Sequence, residues 1–293
     1  AALAQGVLAA EQVWVGTRDA SNVWSTNALN WSPGGAWVNG NDAYFVDSAV
    51  SNIDMRAELS GLVSVADITF ALNGEGFASP VMITDADRDS TFALVGSPSV
   101  FQVMSSPEFG TGMVYAAISG AGGLQKNGPG VLYLAATNTY AGETLVSQGI
   151  LRMGERSPNS LGATGAGNGT VVLPGAALDI NGATPNGVNS AEPLFLSGSG
   201  PDGQGALVNR GAGCMNSGFT GGVTLQGDTT VGCLNRIDVR SAWSGNGYTL
   251  TKGGNAVVDQ IGNSAAFVAD VFLIEQHFLV LELLHVAIHN LGD

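Results

Sequence analysis

Short apolar runs, each closed by a tight turn, constrain this chain more than any other feature. Val13-Trp14-Val15, Ala43-Tyr44-Phe45-Val46, Ile68-Thr69-Phe70, Val131-Leu132-Tyr133-Leu134, Val171-Val172-Leu173 and Ala177-Leu178-Asp179-Ile180 are typical. Such runs suit strands and are too short for helices. Asn73-Gly74, Asn127-Gly128, Pro174-Gly175, Asn181-Gly182 and Asn186-Gly187 fall between them, and these pairs favour turns that need left-handed backbone. No helical period appears before about residue 264. Glycine supplies 43 of 293 residues and charged residues only 12%. With 45% hydrophobic residues the chain is not disordered, because it has enough apolar surface to bury. An all-β fold of short strands is the reading that uses all of these facts.

One segment occurs twice. Ile118-Ser119-Gly120-Ala121-Gly122-Gly123-Leu124-Gln125-Lys126-Asn127-Gly128 returns as Trp243-Ser244-Gly245-Asn246-Gly247-Tyr248-Thr249-Leu250-Thr251-Lys252-Gly253-Gly254, and the chain's two lysines occupy the same place in both copies. Internal repeats of this kind point to stacked coils, each burying its apolar side against its neighbours.

Residues 118–154, from Ser119-Gly120-Ala121-Gly122-Gly123-Leu124-Gln125-Lys126 through Asn138-Thr139-Tyr140-Ala141-Gly142-Glu143-Thr144 to Gly149-Ile150-Leu151, resemble the autotransporter-associated β-strand repeat of passenger-type secreted proteins. Weaker likeness extends over most of 12–258, including Trp14-Val15-Gly16, Asn30-Trp31-Ser32 and Thr224-Leu225-Gln226-Gly227-Asp228. The resemblance implies a right-handed parallel β-helix, or β-solenoid, exported from a bacterium and displayed or released. Members of the family often continue into a membrane barrel, for which this chain shows no series of long alternating strands; a fragment, or a lineage without that module, is expected. Ala1-Ala2-Leu3-Ala4-Gln5 reads as the end of a signal peptide or as a flexible alanine-rich start.

The expected organisation is a tryptophan-rich cap over 1–49, a parallel β-helix over 50–258 and a C-terminal amphipathic helix over 259–293. The last follows from Phe267 to Asn290, which lacks Gly and Pro and carries Asp270, Glu275, Glu282, His285 and His289 on one broad stripe. A helix there would cover the open end of the solenoid, or it is an unnatural tail. No uncharged apolar run is long enough for a transmembrane helix.

Candidate chemistry is sparse. Glu282, His285 and His289 are spaced to share a helical face and offer a carboxylate and two imidazoles to a metal; the competing reading is a solvated stripe. Asp85, Asp87 and Asp89 alternate as in calcium loops, but Ser90 and Gly96 stand where an EF-hand needs Gly and Glu. An exposed turn or a looser calcium corner is what stays. Cys214 and Cys233 lie about one coil apart, and stacked positions about 4.8 Å apart are near disulfide reach. A bridge there would contribute about 3 kcal/mol in the entropic account; two buried free thiols are the alternative. Trp14, Trp24, Trp31 and Trp37 either stack on sugars or plug the end of the core.

All three histidines, His277, His285 and His289, lie in the last 17 residues, so the solenoid cannot house a Ser-His-Asp site. No P-loop, GxSxG or GxGxxG occurs. A net charge of −14 argues against nucleic acid and anionic lipid. The expected function is therefore a secreted or cell-surface structural and adhesive β-solenoid, non-catalytic and without cofactor. Its partners would be a host surface, a matrix polysaccharide or other copies of itself. One alternative is a filament subunit joined through residues 12–45 and 264–291. Another is a polysaccharide-active β-helix enzyme with carboxylates near Arg88, Arg152 or Arg210.

Overall fold

Alternation of apolar and polar residues sends every second side chain to the same side of a strand. Chains of such strands bury one side only if the strands stack. The computed structural model describes residues 9–15, 22–46, 56–71, 81–104, 111–165, 167–182, 190–211, 218–233, 236–253, 258–260 and 272–275. Among these residues the fold is all-β, a parallel β-helix whose coils present three faces.

The first face stacks β1 (Glu11–Trp14), β4 (Asp42–Val46), β7 (Ile68–Ala71), β10 (Ser99–Val103), β13 (Leu124–Asn127), β15 (Glu143–Val146), β17 (Gly169–Val172) and β19 (Leu194–Gly198), then the start of β21 (Val223–Cys233) and β23 (Trp243–Ser244). The second face stacks β2 (Val23–Trp24), β5 (Arg56–Leu59), β8 (Val81–Thr84), β11 (Thr111–Val114), β14 (Val131–Leu134), β16 (Gly149–Met153), β18 (Ala176–Asp179) and β20 (Leu207–Asn209), then the end of β21, β24 (Thr249–Gly253) and β26 (Phe272–Glu275). The third is shorter: β6 (Leu62–Val65), β9 (Thr91–Leu94) and β12 (Ile118–Gly120), and later β22 (Ile237–Val239) with β25 (Val258–Gln260). Single parallel bridges join Ser190, Phe219 and Val239 on that side. Because β21 runs through the corner between two faces, it hydrogen-bonds them into one 21-stranded sheet. These pairings are parallel throughout; the antiparallel contact of β1 with β3 (Trp31–Ser32) stands apart, at the N-terminal end.

Register partners along the first face are separated by 20 residues from Leu124 to Thr144 but by 33 from Ile68 to Phe101. Coils thus vary in length while the strands stay in register, the slack being taken up in the turns. The core is a set of inward columns. One runs Ala43, Ile68, Phe101, Lys126, Val146, Val172, Leu196 and Leu225. Another runs Leu132, Leu151, Leu178, Leu207 and Val231. Burying each of these aliphatic side chains contributes about 1.5–3 kcal/mol.

At the N-terminal end the core widens into indoles. Trp14, Trp24, Trp31 and Trp37 are each at most 2% exposed. The Trp31 ring lies 5.1 Å from Trp14, 4.9 Å from Trp24 and 4.6 Å from Trp37. They fill the end of the solenoid and present no ring to a sugar, nor to a neighbouring copy.

Within the apolar run expected to form a C-terminal helix, the described residues Phe272–Glu275 form β26 and add a parallel rung to β24. A long run without Gly satisfies helix and buried strand equally, and a free strand edge beside it favours the latter. Of the expected segment 259–293, residues 259 and 260 end β25 and, Phe272–Glu275 aside, the others lie outside the described residues, Glu282, His285 and His289 among them, as does Cys214. Cys233 ends β21, opposite Asn209 of β20. Among the described residues no helix is long and apolar enough to cross a membrane.

Candidate contact surface and buried polar column

Outward side chains on the second face form a column through successive strands: Arg56, Met82, Met113, Tyr133, Arg152 and Asp179. Strand parity places them there, since Ile83, Val114 and Leu134 beside them point inward. Tyr115, 44% exposed at the end of β11, packs its ring against Tyr133 at 5.8 Å and 69°. Partial burial, with the neighbouring Tyr133 phenol adding to it, raises the Tyr115 hydroxyl above its ordinary value, so it is a neutral donor. The result is an apolar and aromatic strip flanked by ion pairs. Arg56 meets Glu58 at 3.3 Å on one side. Arg152 meets Asp179 at 2.8 Å on the other.

Those carboxylates are already engaged. Asp179 is buried and its second oxygen accepts the amides of Asn181 and Arg210. Glu58 accepts the Ala86 amide and the Thr84 hydroxyl besides Arg56. These bonds, set against the desolvation that burial imposes, hold its carboxyl below the usual range. Arg210 pairs with Asp202 in an exposed turn. Arg152 and Arg210 thus each stand in an ion pair, with Asp179 and Asp202. Arg88 sits in the turn after Asp85 with a φ of 56°. There the Asp85 carboxylate accepts the Ser90 amide and Asp89 accepts the Ser90 hydroxyl. Among the described residues no three His, Cys, Asp or Glu side chains group as metal ligands.

The interior also holds polar groups. Lys126 is fully buried between Phe101 and Val146. Its Nζ donates to the carbonyls of Asn127 and Gly128 at 2.8 Å each and of Gln148 at 3.0 Å. Burial pushes this amine down to about 7, while three acceptors favour the protonated form, the only one with three donors. Lys252 is 7% exposed and points inward in the same way. Parity was the available signal: Leu124 and Lys126 share one side of β13, as Leu250 and Lys252 share one side of β24.

A second group lies between coils. Tyr140 and Thr144 share a hydrogen bond of 2.7 Å, and Thr144 donates to the Leu161 carbonyl at 2.8 Å. Thr170 stacks on Thr144 and donates to Glu192 at 2.7 Å. Burial raises the Glu192 carboxyl to about 7, against the lowering effect of the Thr170 bond. At 1% exposure it cannot meet a substrate. Asn138 bridges coils by accepting the Ile118 amide at 2.9 Å and donating to the Ser160 carbonyl at 2.6 Å. Nothing in residues 190–193 marks Glu192 as interior, since a carboxylate in a loop ordinarily reads as solvated.

Comparison with known proteins agrees with this architecture. The passenger-associated-transport-repeat family matches residues 124–153, the two coils that hold Lys126, Tyr140 and Thr144. The chain is 28% identical over 251 residues to the adhesin BmaC autotransporter of Brucella suis biovar 1, a match over 84% of this chain. The chain spans only about 6% of that relative's length. No solved structure matches. The chain therefore carries a passenger-associated transport repeat and resembles an autotransporter passenger, which places it among the secreted and cell-surface proteins of bacteria.

Proposed function

We propose that the chain is a non-catalytic adhesive section of a passenger, a stiff rod that presents the Met82, Met113, Tyr115 and Tyr133 strip to a host or matrix surface. The strip carries the reading. It is a half-buried aromatic and thioether patch on a rigid sheet, with Tyr115 its exposed member, and the carboxylates beside it are committed to ion pairs and backbone amides. Aromatic anchors on a preorganised surface supply contact area at low entropic cost. The name of the curated relative, an adhesin, supports the same reading.

The test is binding of the purified chain to immobilised host-cell surface and matrix preparations. Tyr115→Ala with Tyr133→Ala should weaken binding by about tenfold or more, as loss of two interface aromatics does, with the far-UV spectrum unchanged. Equal binding by the folded variant would remove the strip from the function. Release of reducing sugar from a polysaccharide panel would refute the non-catalytic part.

A further inference from the structure

A stack of parallel rungs ends in unpaired amides and carbonyls, which template addition of another strand. Among the described residues, outward backbone groups of the first strand on each face already have partners at the N-terminal end of this solenoid. On the first face β1 is covered by β3, antiparallel through Val13–Ser32 and Trp14–Trp31. The outer side of Trp31 is then closed by Gly35, which exchanges backbone hydrogen bonds of 2.9 and 2.8 Å with it. On the second face the outer carbonyl of Val23 accepts the side-chain amide of buried Asn30 at 3.0 Å.

The third face shows the device most fully. Asn39 imitates a strand against β6: its Oδ1 accepts the Ser64 amide at 2.8 Å and its Nδ2 donates to the Leu62 carbonyl at 3.2 Å. The Ser64 carbonyl takes the Gly40 amide at 2.9 Å and the Trp37 indole N–H at 3.2 Å. The Ala66 amide donates to Asn41 at 3.0 Å. One side chain ties this strap down. Gln12, 3% exposed, donates to the Ala36 carbonyl at 2.8 Å and the Pro33 carbonyl at 3.4 Å. Its Oε1 accepts the Val38 amide at 2.8 Å and the Asn41 side-chain amide at 3.0 Å.

We propose that residues 30–41 are an edge-blocking cap, held by Gln12 and Asn39, that closes the N-terminal end of the solenoid to strand addition by a second copy of this chain. Every outward hydrogen-bonding position named above is filled from within the molecule, so at those positions an incoming rung finds its donors and acceptors already taken. The indole cluster beneath makes the strap costly to lift, because opening it uncovers Trp37 and Trp31.

Sedimentation velocity and residue-resolved hydrogen exchange on the full chain test this. The wild-type chain should exchange the Ser64 and Ala66 amides slowly and show no linear oligomers. In Gln12→Ala/Asn39→Ala the same two amides should exchange faster by about tenfold or more, as fits loss of the bonds that protect them. Linear oligomers should then form with the β spectrum retained. Adding Ser64→Pro, which deletes the amide an incoming strand needs at a position an edge tolerates, should abolish them. Oligomers that survive Ser64→Pro would mean association through exposed Leu29, Val38 and Leu62 and would overturn the proposal. So would an opened, folded variant that stays at wild-type size. Unchanged exchange in the variant would overturn the assignment to Gln12 and Asn39. Should the double variant lose its β spectrum, the single Asn39→Ala change is read by the same criteria.

Discussion

The two copies of the repeated segment carry the same local design to different sides of the molecule. In both, a short strand, a glycine-rich turn and a second strand set a lysine inward, at 126 in β13 and 252 in β24. Lys126 belongs to the first face, in the column of Phe101 and Val146. Lys252 belongs to the second, stacked on Val231. The local motif fixes parity and turn, which depend on neighbours in sequence. The face depends on how many residues every intervening coil spends, and coils range from 20 to 33 residues along the first face. Repetition in sequence is therefore not repetition around the axis.

The largest effect that would separate the copies is loss of the buried ammonium. Lys126→Ala removes a packed stem and leaves the carbonyls of Asn127, Gly128 and Gln148 short of a donor, an expected cost of about 3 kcal/mol in urea unfolding. Lys252→Ala, at a slightly exposed position, should cost about 1 kcal/mol less. Equal costs would mean that the motif, not its surroundings, sets the energetics.

Next is pH. Glu192 is raised from 4.5 to about 7 in the folded chain. The folded state then holds its proton more tightly than the unfolded one, so this stability is complete below about 4.5 and is lost as pH rises through 7. The loss is about 3 kcal/mol at most. Lys126 is lowered from 10.5 to about 7. Here the unfolded state binds the proton more tightly, so stability climbs as pH goes from 7 toward 10.5. Urea midpoints across pH 4.5–9.5 should pass through a minimum near neutrality. Glu192→Gln should flatten the acid limb alone and Lys126→Met the alkaline limb alone. A flat profile in the wild-type chain would remove both groups from the account, and a monotonic one would remove the group whose limb is missing.

The smallest effect tests the role of coil length. Inserting Gly-Ser-Gly between Gly203 and Gln204, in an exposed turn, should cost less than about 1 kcal/mol, since loop entropy grows slowly with length. It should leave amide protection in β20 and β21 unchanged. Lost protection in β21 would show that turns, not ladders, hold the faces in place.

Much of this was legible in residue order. The strands at 43–46, 68–70, 131–134 and 177–179 follow from alternation bounded by turn pairs, stacked coils follow from the repeat, and their parallel winding is what the resemblance to the autotransporter repeat implies. The indole plug is a crowd of four tryptophans within the first 37 residues. Other features had no local signal. Phe272–Glu275 pairs as a strand because β24 offers an edge. Tyr115 and Tyr133 meet because β11 and β14 are successive rungs. Gln12 reaches residues 33–41 across a separation that pattern reading does not bridge.

By itself the sequence determined which residues extend, which turn and which side of each strand is apolar, because those properties depend on backbone sterics and on neighbours two positions away. The tertiary structure alone decided which face each strand joins, which polar groups end inside and how the first rung is closed. Those outcomes depend on contacts between residues 20 or more positions apart, where stacking gain is weighed against the whole length of chain between.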